Sequence, residues 1–270
     1  MGMSRKRKDA FKAAHPFCIF CGGTVEATTV EHCPPRAMFQ KREWPEGFEF
    51  AACSKCNHGS ADQDLLIALL ARVDPFEDSG SKDGRMPGII GSIAQKFPGL
   101  IKRMMPTANE ARRINERLGI SVTPGQTNQQ SGAVHVVEEI HHAVEVFAAK
   151  LTKAIYYQQT NMPFPLGGRL AMRWFTNADL ITNNGRYQIF DLLSELVGIA
   201  PTLRRARSFL NDQFSYKLTI SDEKSFFVLQ AQFGAGFGFV VFGSTASEKL
   251  DAVFINLEEK TQKPNPFIIL

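Results

Sequence analysis

The sequence contains no run that approaches the roughly 18 consecutive apolar residues of a membrane-spanning helix. Residues 1–8 are largely basic and lack the apolar core of a secretory signal peptide. Cysteine is scarce too, with 5 in 270 residues, and four of these form two close pairs. This usage is typical of a metal site in a reducing compartment and not of a disulfide framework. We therefore expect a cytoplasmic protein that does not enter a membrane.

Neither sign of charge dominates the chain. The 31 Lys and Arg residues stand against 27 Asp and Glu, a formal net charge of +4. An excess this small permits a polyanionic partner without requiring one. Basic residues are concentrated in an arm at residues 1–14 and in residues 82–117, where eight Lys or Arg stand against three acids. These segments indicate either contacts with a nucleic acid or ordinary solvated surfaces.

Two Cys-x-x-Cys pairs, separated by 31 residues, form the most specific pattern in the chain. Each pair offers two thiolates at adjacent corners of a tetrahedron, and the intervening chain is long enough to return, so zinc is the expected ion. Glu31 and His32 lie between the pairs, and Asn57 directly follows the last cysteine. These polar residues are thus tied covalently to a rigid frame. The expected zinc ligands are Cys18, Cys21, Cys53 and Cys56.

Short elements are predicted around this frame. Residues 24–30 are rich in β-branched side chains, and residues 48–52 form a second candidate strand that leads to Cys53. A helical turn over 53–58 and a helix over 65–73 follow, the latter opened by a capping box at residues 60–63. His32 is therefore expected at the end of a strand.

The remainder predicts a mixed α+β architecture in three parts: a module at 1–75, a basic connector of helices and loops at 76–132, and a C-terminal domain at 133–270. Helices are predicted over 89–96, 108–118, 136–159 and 189–196. Strands are predicted over 169–176, 214–220, 226–233, 237–242 and 252–257. Turn residues between the later strands favour an antiparallel meander. No catalytic motif lies in this C-terminal half, which is expected to serve targeting, regulation or oligomerisation.

Residues 15–73 resemble the four-cysteine branch of the HNH endonucleases, which have the ββα-metal fold. In that branch two Cys-x-x-Cys pairs hold a structural zinc ion, an acidic residue and a histidine end the first strand, and an asparagine follows the last cysteine. The resemblance implies that His32 is the general base. It also implies that Glu31 and Asn57 hold a catalytic Mg²⁺ or Mn²⁺, and that the substrate is a nucleic acid, most naturally DNA.

The residue types suit that chemistry. Hydrolysis of a phosphodiester needs a deprotonated water and neutralisation of the developing charge on the phosphate, tasks for an imidazole and for a hard cation held by oxygen ligands. Cationic side chains close in sequence are candidate phosphate contacts: Arg36, Lys41, Lys55 and His58. His58 is equally a candidate metal ligand. Cys33, directly after the histidine, has no assigned role.

Two other interpretations remain open. Sites of four cysteines are usually structural, which favours a zinc module that binds nucleic acid without cutting it. Alternatively, the chain is a regulatory or assembly protein with a degenerate HNH module, in which residues 133–270 bind a protein partner or another copy of the chain. Cleavage that depends on His32 separates an enzyme from both.

Overall fold

Runs of helices and antiparallel sheets occupy largely separate parts of the chain, which confirms the predicted α+β class. The computed structural model describes residues 5–73, 83–248, 250 and 267–270. The helices are α1 (Arg5–Ala14), α2 (Ser54–His58), α3 (Ala61–Arg72), α4 (Met86–Lys96), α5 (Leu100–Met104), α6 (Ala108–Leu118), α7 (Glu138–Thr160), α8 (Asn177–Thr182) and α9 (Gln188–Leu192).

The strands form three antiparallel groups. They are β1 (Thr29–His32), β2 (Glu49–Ala52), β3 (Arg169–Thr176), β4 (Arg204–Arg205), β5 (Ser208–Phe209), β6 (Ser215–Ile220), β7 (Phe226–Phe233), β8 (Phe237–Ser244) and β9 (Ile268–Ile269). β1 pairs with β2 and β4 with β5, while the largest sheet has the order β6-β7-β8-β3-β9. The predicted meander is confirmed as β6-β7-β8. The strand predicted over 252–257 lies outside the described residues.

Helix α7 is the central element of the packing. Its apolar residues recur at intervals of three and four, so one face is buried along most of its 23 residues. This face contacts α3 on one side and strands β3 and β8 on the other. Phe147 lies edge-on to three phenylalanines of the large sheet, with ring centroids 5.2 to 6.2 Å apart. α7 therefore connects the N-terminal module to the sheet.

The cysteine-bearing module and the large sheet share one apolar core. Phe48, which precedes β2, contacts Phe214 at a centroid distance of 5.7 Å, and Phe214 stacks on Phe233 of β7 at 4.9 Å with the rings nearly parallel. Each of these rings is almost completely buried, and burial of a large aromatic side chain contributes several kcal/mol. The C-terminal half is thus packed directly against the module.

Two local predictions need correction. β1 begins at Thr29, whereas residues 24–28 form a turn and an isolated bridge between Phe17 and Glu26. The capping box at residues 60–63 is wrong, because Ser60 makes no cap to the backbone of α3. Its hydroxyl oxygen accepts a hydrogen bond from Lys150 Nζ at 2.6 Å and donates to Asp64 at 3.3 Å. A tertiary partner has replaced the local one.

Among the residues that the structure describes, no helix has both the length and the apolar character needed to cross a membrane.

Candidate functional site

Four cysteine thiols converge at the base of the N-terminal module. The Sγ atoms of Cys18, Cys21, Cys53 and Cys56 all lie within 4.8 Å of one another, with Cys21 at 3.3 Å from Cys56 and 3.7 Å from Cys53. A zinc ion with Zn–S bonds of about 2.3 Å needs sulfurs about 3.8 Å apart, so the cluster has the right size. The four thiols can hold a metal ion such as zinc.

Each cysteine pair is shaped by local backbone geometry. Gly22 and Gly23 follow Cys21 with φ of 63° and 76°, the left-handed region that favours glycine. A Cβ at Gly22 would also approach the Leu166 side chain to 3.0 Å. In the second pair, the backbone N–H of Cys56 donates to the Cys53 sulfur at 3.4 Å, so Cys53 caps the N-terminus of α2. Burial and the neighbouring thiols raise the pKa of Cys56, so a bound cation would be needed to keep the cluster ionised.

His32 occupies the last position of β1, as the sequence predicts. Its ring lies edge-on to the indole of Trp44, with centroids 4.7 Å apart and an interplanar angle of 89°. Trp44 is only 4% exposed, whereas His32 is half-buried. In the two-stranded sheet, His32 lies opposite Glu49. The imidazole is therefore held at the edge of the module against a rigid aromatic surface.

Two arginines pack on the same indole. The guanidinium carbon of Arg36 lies 4.4 Å from the Trp44 ring centroid, and that of Arg205 lies 3.9 Å away. Both contacts are within the range of cation–π attraction. Burial and the charges of Arg42 and Arg205 lower the pKa of Arg36, while Glu49 acts in the opposite sense. Arg36 was a predicted phosphate contact, and the structure brings it to the ring that His32 touches.

Arg205 belongs to the Arg205 hairpin, residues 203–210, in which β4 pairs with β5. The hairpin is attached to the module at Glu46, whose N–H donates to the Arg204 carbonyl at 2.9 Å and whose Oε1 accepts from the Ala206 N–H at 3.0 Å. Sequence reasoning missed this residue, because Arg205 and Trp44 are far apart along the chain. The run Arg-Arg-Ala-Arg at 204–207 was the available signal.

Glu31 points to the other side of β1, into the interior. The residue is 5% exposed, and its Oε2 lies 3.2 Å from Lys150 Nζ in α7. At this distance the ammonium and the carboxylate form an ion pair. Burial raises the pKa of Glu31 to about 7, with Lys150 acting in the opposite sense and Asp64 adding to the rise. For Lys150, burial lowers the pKa, but Glu31 and Asp64 outweigh it and the net pKa is raised.

The donor types around Glu31 suit a hard divalent ion, but their present arrangement does not. Asn57 lies beside β1, where its Nδ2 donates to the Val30 carbonyl at 3.4 Å. Asp64 contributes a further buried oxygen, Oδ1, that has no hydrogen-bond partner in the described chain. However, the Lys150 ammonium already lies against Glu31 and Ser60. A divalent ion does not fit on the Glu31 carboxylate while that ammonium remains there.

The other predicted phosphate contacts are placed differently. Lys55 and His58 lie exposed on α2, and the exposed Lys41 has its backbone N–H bound by Asp83 at 2.8 Å. Cys33 is fully buried, and burial raises the pKa of its thiol well above the usual range.

The basic segment at 82–117 is partly neutralised by acids of the chain. Lys96 pairs with Asp62, Arg103 with Glu139, and Arg112 lies 4.0 Å from Glu116. These exposed pairs are typical of a solvated helical surface. Near His32, the positive charge is therefore more concentrated around Trp44, where Arg36 and Arg205 pack, than in the segment at 82–117.

Comparison with known proteins found no match to this chain among family models, curated proteins or solved structures.

Proposed function

We propose that the chain is a zinc-stabilised endonuclease of the HNH type that hydrolyses phosphodiester bonds of nucleic acid, most naturally DNA. The observation that carries this proposal is the contact of His32 with Trp44, whose ring also carries the Arg36 guanidinium. A candidate general base and a candidate phosphate-binding guanidinium thus contact the same ring. The same resemblance to HNH enzymes that assigns the base at His32 assigns the zinc frame to the four cysteines.

In the proposed reaction, an imidazole nitrogen of His32 accepts a proton from water as the water oxygen forms a bond to phosphorus. The bond from phosphorus to the leaving oxygen breaks, and solvent protonates that oxygen. An imidazole is partly neutral near pH 7 and contributes about 10²- to 10⁴-fold as a general base. The Arg36 guanidinium stabilises the negative charge that develops on the phosphate oxygens.

Mg²⁺ or Mn²⁺ at Glu31 and Asn57 stays a prediction from the HNH resemblance. When bound, such an ion would polarise the phosphate and stabilise the leaving oxygen. Because the ion requires the Lys150 ammonium to leave Glu31, we assign no step to it. The chain's own residues supply the steps given above.

The experiment is a cleavage assay on zinc-loaded protein with supercoiled, linear duplex and single-stranded DNA, with Mg²⁺, with Mn²⁺ or with EDTA. We expect cutting by the parent and a loss of about 10²-fold or more in His32→Ala. The matched control is His142→Ala, which removes an exposed imidazole from α7 and should cut like the parent. Equal cutting by His32→Ala and the parent, at equal zinc content, would refute the assignment.

A second candidate function is nucleic-acid binding without cleavage. It is favoured by one observation, the burial of Glu31 against Lys150, which withholds the carboxylate that the HNH resemblance assigns to an ion. This candidate predicts salt-sensitive retardation of DNA with no products under any metal condition. The same assay therefore separates the two.

A further inference from the structure

We infer that the Arg205 hairpin of the C-terminal half completes a phosphate-binding site with Arg36 on the Trp44 ring, and that this site takes the phosphodiester backbone of a nucleic acid. This inference rests on the proposed function for its substrate class. It adds a residue and an element, Arg205 and the hairpin, that lie outside the cysteine-bearing module. The C-terminal half then has a direct role in holding the substrate beside His32.

Positive charge is concentrated around Arg36. Burial, and then the charges of Arg42 and Arg205, lower the pKa of Arg36, while Glu49 acts in the opposite sense. Guanidinium groups held this close to one another favour the binding of an anion. Arg36 and Arg205 are each half-buried, so part of each side chain remains accessible to a ligand.

Two hydrogen-bond donors beside the stacked arginines bear on the same site. Arg36 Nε and Trp44 Nε1 are buried, and neither donates to an acceptor within residues 5–73, 83–248, 250 and 267–270. A buried donor without an acceptor is destabilising. The polar groups around the Trp44 ring are therefore not fully satisfied within the described residues. A phosphate oxygen accepts from a guanidinium N–H with the strength of a charge-assisted bond.

The two stacked guanidiniums are preorganised. Stacking on Trp44 from 4.4 and 3.9 Å restricts both guanidiniums, so little side-chain freedom is lost when a phosphate binds. Glu46 fixes the hairpin to the module through two hydrogen bonds.

The test is binding of fluorescein-labelled DNA by zinc-loaded protein, measured by anisotropy at several salt concentrations. The variant is Arg205→Gln, which keeps a stem and a planar polar group but removes the charge. The matched control is Arg207→Gln, an exposed arginine of the same hairpin with the same loss of charge. We expect Arg205→Gln to weaken binding about 10-fold or more and to reduce the salt slope by about one phosphate contact.

Arg207→Gln is expected to weaken binding less than about 3-fold, the effect of an exposed charge. Equal losses of DNA affinity in Arg205→Gln and Arg207→Gln would overturn the inference. They would show a general electrostatic attraction of DNA to the hairpin and not a specific phosphate-binding site at Arg205. Zinc content and the unfolding midpoint are measured for both, and Arg205→Lys serves as a second variant that keeps the charge but loses the planar fork. Lysine restoring full binding would also overturn the stacked site.

The outcomes for this inference and for the proposed function are separable. If the parent binds DNA through Arg205 but never cuts it, the phosphate site stands and the endonuclease proposal fails. If the parent cuts DNA, depends on His32, and is indifferent to Arg205, the endonuclease proposal stands and the inference fails. His32→Ala is expected to retain most of the DNA affinity in either case, since the phosphate is held by the arginines.

Discussion

The buried ion pair between Lys150 and Glu31 gives the sharpest test of the structure. Replacing Lys150 with Met keeps the length and apolar stem of the side chain but leaves Glu31, 5% exposed, without its cation. At 3.2 Å and an effective dielectric constant of about 20, the Coulomb attraction is about 5 kcal/mol before desolvation is subtracted. Measured above the Glu31 pKa of about 7, where the carboxylate is ionised, Lys150→Met is expected to lower the free energy of unfolding by about 3–5 kcal/mol.

A double-mutant cycle isolates the pair. Glu31→Leu combined with Lys150→Met replaces both charges with apolar groups of similar size, which is often neutral or stabilising relative to the intact pair. We therefore expect the double variant to be more stable than either single variant. The measurement is urea unfolding of zinc-loaded protein followed by far-ultraviolet circular dichroism. The control is Lys153→Met, a half-buried lysine one turn further along α7, with an expected change within about 0.5 kcal/mol.

Two results would refute this reasoning. One is a Lys150→Met variant no less stable than Lys153→Met, which would mean that Glu31 is not buried against Lys150 in solution. The other is a double variant whose loss equals the sum of the two single losses, which would mean that the two side chains do not interact. Either result would also restore Glu31 as a free ligand for a divalent ion.

Three further predictions follow from the same contacts. Elemental analysis should find stoichiometric zinc in the parent and in Cys33→Ser, whereas Cys18→Ser should lose cooperative unfolding. Zinc retained in full by Cys18→Ser would contradict the four-thiol site. Mn²⁺ should bind more tightly to Lys150→Met than to the parent when it is titrated into zinc-loaded protein and followed by electron paramagnetic resonance, and adding Glu31→Gln should remove this increase in affinity. Tight binding by the parent that depends on Glu31 would contradict the placement of the Lys150 ammonium against that carboxylate. Arg72→Met should lower the free energy of unfolding in urea by about 3–5 kcal/mol, because the buried Arg72 donates to the Ala37 and Phe39 carbonyls and pairs with Asp83. Arg186→Met, at an exposed arginine, should change that free energy little.

Local patterns in the sequence predict the frame of the site well. The cysteine spacing predicts the cluster because each Cys-x-x-Cys pair is set by a few backbone dihedrals. The β-branched residues before His32 predict that it ends β1. The second Cys-x-x-Cys pair predicts the helical turn that carries Asn57. The apolar period of α7 and the strands of the meander are confirmed for the same reason, since each is encoded within its own segment.

Contacts between distant segments could not be predicted in this way. Lys150 meets Ser60 across 90 residues of sequence, and a lysine in an amphipathic helix is ordinarily read as solvated. The predicted cap at Ser60 failed because this tertiary partner took its hydroxyl. Arg205 reaches Trp44 from a hairpin with strands of two residues, too short to give a periodic signal. The contacts of Lys150 and Arg205 could therefore be found only in the three-dimensional structure.

The most direct test of the central claim is chemical rescue at position 32. DNA cleavage is measured for the zinc-loaded parent and for His32→Gly, with and without added imidazole. The proposal predicts that the parent cuts, that the glycine variant loses about 10²-fold or more, and that imidazole restores a measurable part of the rate. Cleavage by His32→Gly at the parent's rate, or a parent that binds DNA and never cuts it, would contradict the assignment of His32 as the general base.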